Sequence, residues 1–139
     1  MPIGLCLQLK LSFNRIKMRK DKIIYWVTTS ILGVMMLFSG YAYFTNPDVM
    51  AGFIKMGFPD YFRMELGVAK ILAAAVIVAP QVPSRIKEWG YAGLGITFIS
   101  AIIAHLSTGD RVGAMAPLIF LGLMAVSYGY REKLFPAVV

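Results

Sequence analysis

Four long apolar stretches divide the chain, and their lengths predict its fold. The first runs from Ile23 to Phe44 without a charge, and the second, from about Tyr61 to Ala79, holds Glu65 and Lys70. A third extends from about Glu88 to Leu106 with His105 near its end, and the last spans about Val112 to Tyr130. A hydrocarbon core of about 30 Å takes about 20 helical residues at 1.5 Å each, which every stretch approaches. The apolar residues are continuous instead of alternating, and four short strands cannot close a barrel, so helices are the remaining way to span. The expected fold is all-α: a polytopic membrane protein built as an antiparallel bundle of four transmembrane helices.

The connections mark the same boundaries. Asn46-Pro47-Asp48 ends the first helix, and Gly57-Phe58-Pro59-Asp60 leads into the second with Asp60 as its predicted N-cap. Pro80 and Pro83 bracket the next turn, and Ser107-Thr108-Gly109-Asp110 is short enough to make the last two helices antiparallel neighbours. Ten Lys and Arg residues flank the spans on the side of both termini and three, Lys55, Arg63 and Arg111, on the other. That asymmetry predicts both termini in the cytoplasm. Trp26, Trp89, Tyr25, Tyr91, Tyr128 and Tyr130 then fall at the cytoplasmic interface, and Tyr41, Tyr43 and Tyr61 at the outer one. Ser30, Gly33, Ser39 and Gly40 in the first helix, and Gly90, Gly93 and Gly95 in the third, are small residues suited to close helix packing. Pro117, near the outer entrance of the last helix, sits where a missing donor costs least.

Residues 1–17 follow another pattern. Leu5-Cys6-Leu7-Gln8-Leu9-Lys10-Leu11 alternates and is too short to span, and it lacks the order of charge, apolar run and cleavage site of a signal peptide. Met18-Arg19-Lys20-Asp21-Lys22 reads as a natural start, so 1–17 is expected to be a loose tail or an extended start. The membrane domain then covers 18–134, and 135–139 forms a short C-terminal tail.

Composition narrows the class further. The chain of 139 residues is 58% hydrophobic, against roughly 45–50% in soluble domains, and carries a net charge of +7. Its basic residues cluster before the first apolar run, where topology signals sit, which points to a lipid-facing flank and away from nucleic acid. A single cysteine, Cys6, excludes an intrachain disulfide, CxxC redox chemistry and a cysteine metal site.

Lys70 is the residue that stands out, in Gly67-Val68-Ala69-Lys70-Ile71-Leu72. A lysine at a helix centre costs roughly 2.5–3.5 kcal/mol on insertion scales, so one that persists faces protein or water and has a partner. It lies about 14 Å below the outer surface, and side-chain tilt aims its ammonium outward. Glu65 is about 6 Å deep on the same helix but about 140° around the axis. His105, on the oppositely directed third helix, tilts inward. Lys70, Glu65 and His105 are expected to converge in the outer half of the bundle, with Asp110 and Arg63 at the mouth, as a polar pocket able to exchange protons. The competing reading is structural: Lys70 fixes helix register, His105 bonds a backbone carbonyl and Glu65 is a flank charge. Glu88, beside Trp89 at a helix start, reads as a structural charge.

Several segments together resemble the DoxX-like family of small bacterial membrane proteins. They are Asp21-Lys22-Ile23-Ile24-Tyr25-Trp26, Gly57-Phe58-Pro59, Ala69-Lys70-Ile71-Leu72, Lys87-Glu88-Trp89-Gly90-Tyr91-Ala92-Gly93, and His105-Leu106 followed by Gly109-Asp110. Each is weak alone; their order and spacing over about residues 18–134 carry the likeness. The resemblance implies a four-helix bundle in the bacterial inner membrane and a distant relation to a membrane subunit of thiosulfate:quinone oxidoreductase. It supplies no active site. A lone histidine cannot provide two axial haem ligands, and no iron-sulfur or dinucleotide motif is present, so no cofactor or metal is evident, and a quinone stays open as one the resemblance allows. Three functions stay open: a quinone-linked or redox-associated subunit working with a redox partner protein, a binder or small carrier of an apolar or weakly acidic molecule, and a structural or assembly factor. The bilayer is the expected partner in all three, with a second copy of the chain as a further one.

Overall fold

No proline interrupts the chain between Ile3 and Asn46, and a single helix, α1, runs over the whole of Ile3–Thr45. The computed structural model describes residues 3–136. After α1 come α2 (Pro47–Lys55), α3 (Asp60–Val78), α4 (Ser84–Ser107) and α5 (Met115–Leu134), with no strand among the described residues. At 1.5 Å per residue, the 43 residues of α1 extend about 64 Å, twice a bilayer core. The segment expected as a loose tail is therefore helical from Ile3 onward and exposed as far as Lys20. Residues 1–2, and 137–139 of the expected C-terminal tail, lie outside the described residues.

The other boundaries shift for identifiable reasons. The link after Asn46 is not a simple turn but the helix α2: the Asn46 side chain accepts from the Asp48 amide at 2.9 Å, and Pro47 supplies the preset first position. Asp60 is not the cap of α3. Pro59 holds that place, and the Asp60 carboxylate instead takes two bonds from Arg63, at 2.9 and 2.6 Å. α4 begins at Ser84, one turn before Glu88, because the Pro83 carbonyl accepts from the amides of Ile86 and Lys87. α5 begins at Met115, not Val112, after a run of turns, so Pro117 falls in its first turn, where its missing donor breaks no helical bond.

Packing follows a stripe of buried positions on each helix. On α1 it is Tyr25, Thr29, Leu32, Gly33, Met36 and Gly40, at helical spacing. α1 packs on α3 and α5, and α4 packs on the same two, so the four long helices form a ring with α1 opposite α4. Contacts at both ends fix alternating directions. Tyr43 meets Arg63 while Gly33 meets Val78, Lys87 meets Ile77, Arg131 meets Ser84 and Phe98 meets Phe120. The core is Leu32, Met36, Ala74, Ile77, Tyr91, Leu94 and Phe98, with Phe120, Leu121 and Met124 against it. Inside it, the Ser127 hydroxyl joins Thr29 and Tyr91, each at 2.7 Å, so three helices share one buried polar chain.

The outward surface is apolar. Val34 and Phe38 on α1, and Ile96 and Ile103 on α4, are more than 60% exposed, an arrangement that lipid tolerates and water does not. Among the described residues, α1 and α4 are the two helices whose length and hydropathy suit a membrane crossing.

Candidate functional site

Gly40 and Gly67 set the close approach of α1 and α3 from which the site is built. A side chain at Gly40 would run into Ile71 and the Gly67 carbonyl, and one at Gly67 into Phe44 and Tyr43. With the backbones this near, Lys70 turns toward α1. Its Nζ donates to Tyr43 Oη at 2.6 Å and Ser39 Oγ at 3.1 Å and lies 4.1 Å from the centre of the Tyr43 ring. Lys70 is 8% exposed and forms no ion pair among the described residues.

Tyr43 connects this buried cation to a cavity. Its ring packs edge-on against Phe53 of α2 at 5.1 Å, and its carbonyl accepts from the buried Arg63 guanidinium. α3 and α4 touch near Ile77 and Lys87 but part toward the other end, leaving a cavity of about 760 Å³. α2 lies across that end. Its Val49, Gly52 and Phe53, with Met56, Phe58, Phe62 and Leu66, face Ile96, Thr97, Ser100, Ala101 and Ala104 of α4. Phe53, Phe58 and Phe62 form a continuous aromatic wall, with successive ring separations of 5.9 and 5.0 Å. Ile96 and Ser100 on the rim are exposed, so the cavity opens sideways between α3 and α4.

A second polar station closes the far end. His105 Nδ1 lies 3.0 Å from Asp110 Oδ2, and Asp110 Oδ1 accepts from the Gly113 amide at 2.9 Å. Both His105 and Asp110 line the cavity. The Gly113 amide, and after it His105, hold the Asp110 carboxyl below its ordinary carboxylate range. Gly113 has no room for a side chain, since a methyl group there would overlap both partners.

Of the four residues expected to form a pocket, His105 and Asp110 are paired in the cavity wall. Lys70 is not in that wall; it stands beside it through Tyr43, because α1 and not α4 satisfies its ammonium. Glu65 is exposed and joins neither group, the consequence of its position around α3. Arg63 is drawn to Asp60 and the Tyr43 carbonyl. Tyr43, Ser39 and the aromatic wall of Phe53, Phe58 and Phe62 are the contributors that the sequence did not reveal. Ser39 and Tyr43 stand one helical turn apart, a spacing that could have flagged them as a joint hydroxyl face. Among the described residues, no group of three His, Cys, Asp or Glu side chains is placed to hold a metal ion.

The comparison that decides the family is with the model of the DoxX-like family, which matches residues 27–127. The chain belongs to the DoxX-like family. Comparison with curated proteins and with solved structures finds no match. DoxX-like membership, together with the two long apolar helices, makes this a membrane protein. The matched segment runs from Val27, within the apolar part of α1, to Ser127, and so takes in both polar stations and all of α2.

Proposed function

We propose that this DoxX-like protein crosses the bacterial inner membrane four times, with both termini in the cytoplasm, and binds a quinone-type ring in the cavity between α2, α3 and α4. α3 and α5, at 19 and 20 residues, reach about 28–30 Å and carry exposed aliphatic side chains, among them Val68, Leu72, Leu118 and Ile119, which supports spanning by all four long helices.

The observation that carries the binding reading is the pairing of a laterally open aromatic cavity with polar groups at two ends. Its volume falls within the roughly 300–1,000 Å³ of small-molecule sites. A flat ring bearing two carbonyl oxygens suits Phe53, Phe58 and Phe62 as walls, the Tyr43 phenol as a donor and His105 with Asp110 as a proton-holding pair. When bound, the quinone supplies the electron-accepting ring, and a partner redox protein supplies electrons. The chain's own residues bind the ring and orient it, and set the His105 imidazole, bonded to the ionised Asp110, beside it as the proton-exchanging group.

Titration of the purified protein with a short-chain benzoquinone tests this, read as a rise in thermal midpoint and by calorimetry. The expected result is micromolar binding that weakens at least tenfold in Ala104→Trp, which fills the cavity, and about fivefold in Tyr43→Phe, which loses the phenol. Equal binding by Ala104→Trp and the wild type would overturn the assignment. Binding of apolar weak acids in place of the quinone would assign the cavity to a carrier.

One observation favours a structural role for Lys70 itself. Its ammonium is bonded by two α1 hydroxyls, so it ties α3 to α1 whatever occupies the cavity.

A further inference from the structure

The opposite end of the molecule holds a second cavity, of about 310 Å³, lined by Lys22, Trp26, Ser84, Lys87, Arg131 and Phe135 among others. Three cations from three different helices face it, and their surroundings differ. Arg131 is 1% exposed and already compensated: it donates to the Ser84 carbonyl at 2.9 Å, to the Ser84 hydroxyl, to Glu132 at 3.2 Å and to Glu88 at 3.4 Å. Lys87 is 7% exposed, yet its ammonium donates to a single acceptor, the Ile77 carbonyl at 3.3 Å. An ammonium has three donors, and no ion pair forms at Lys87 among the described residues. Lys22 adds a further charge from the side of α1. Counting the two glutamates on Arg131, the cavity keeps a net positive charge.

We propose that this cavity binds a phosphate-bearing anion, supplied by the headgroup of an anionic phospholipid. A buried lysine lacking a counter-ion is stabilised by an anion that reaches it, and the cavity gives access. The site lies at the end flanked by most of the chain's Lys and Arg residues, the membrane surface that anionic lipids enrich. Trp26 and Phe135 line its apolar side, and the exposed Ile23 and Val27 of α1 continue as a strip for acyl chains. The volume suits a headgroup and is too small for a whole lipid. This site shares no lining residue with the cavity between α2, α3 and α4, so its occupancy is independent of the quinone reading.

The test compares the thermal midpoint of detergent-purified protein with added phosphatidylglycerol, phosphatidylcholine or inorganic phosphate, alongside native mass spectrometry of retained lipid. Phosphatidylglycerol is expected to raise the midpoint by several degrees and remain bound, with phosphatidylcholine and inorganic phosphate giving less than a third of the effect. Lys87→Gln should weaken the response at least fivefold, and Lys87→Arg should restore it. Lys22→Gln, at an exposed position, serves as the second variant if Lys87→Gln does not fold, and should weaken the response at least twofold. Full stabilisation by inorganic phosphate, with nothing added by lipid, would assign the site to a soluble phosphate and overturn the headgroup. An unchanged response in folded Lys87→Gln, or in Lys22→Gln where that variant stands in, would overturn the site.

Discussion

Lys70 Nζ lies 2.6 Å from Tyr43 Oη, so the deepest charge of α3 is bound to a neutral hydroxyl of α1 and not to a carboxylate. The pair couples two things. It fixes α1 against α3, and it holds the ring that faces the cavity on the side of Phe53. An ammonium satisfied by hydroxyls remains costly to bury, so the two residues are expected to respond unequally to mutation.

Lys70→Met removes the charge and leaves the Ser39 and Tyr43 hydroxyls close to one another. Its expected effect is within about 1 kcal/mol of neutral, or stabilising. Tyr43→Phe leaves the buried ammonium one acceptor short, at about 1–3 kcal/mol, or a fall in thermal midpoint of about 2–10 °C. The double variant should recover most of that loss. Thermal melts of the four proteins close the cycle, and simple additivity would contradict the coupling.

Ser127 is fully buried and serves both Thr29 and Tyr91. Ser127→Ala is expected to cost about 1–3 kcal/mol, since it strands two hydroxyls at once. Thr29→Val strands no hydroxyl, because Ser127 keeps Tyr91, so its cost should be about half as large. Chemical or thermal unfolding in the same detergent measures both.

A methyl group at Gly113 would collide with His105 and Asp110 together. Gly113→Ala should therefore break their contact at a cost of about 1–3 kcal/mol, while the α1–α3 pair of Tyr43 and Lys70 stays intact. The imidazole NMR resonances of His105, the only histidine in the chain, report the change directly.

Asp110 sits below the ordinary carboxylate value of about 3.9 because the Gly113 amide and His105 favour its ionised form. The folded pKa is depressed, so its contribution is complete above about pH 4 to 5 and is lost as pH falls through the folded value. The Gly113 amide should stay protected from hydrogen exchange down to about pH 4 and lose protection below it. Asp110→Asn should flatten that dependence, and a transition centred above pH 5 would contradict the arrangement.

The presence and order of the four long helices were legible in the sequence; the starts of α1, α4 and α5 were not. Hydropathy runs and the breaks at Pro47, Pro59, Pro80 and Pro83 act within a few residues, so segments and turns could be read one at a time. α2 escaped because nine residues make no spanning run, and its helical state rests on one Asn46 cap and on packing beneath the cavity. The charge pattern also marked Lys70 as a buried cation in need of a partner, since the cost of burial belongs to the residue. It could not say which partner. Tilt and depth follow helix by helix and bring His105 toward Lys70, whereas the rotation of each helix about its axis does not follow from either. The Gly40–Gly67 approach sets that rotation for α3, turning Lys70 to Ser39 and Tyr43 and leaving Glu65 outside, while His105 takes its partner locally, from Asp110 five residues on. Local chemistry decides which groups need partners; the summed packing of all the helices decides which partners they get.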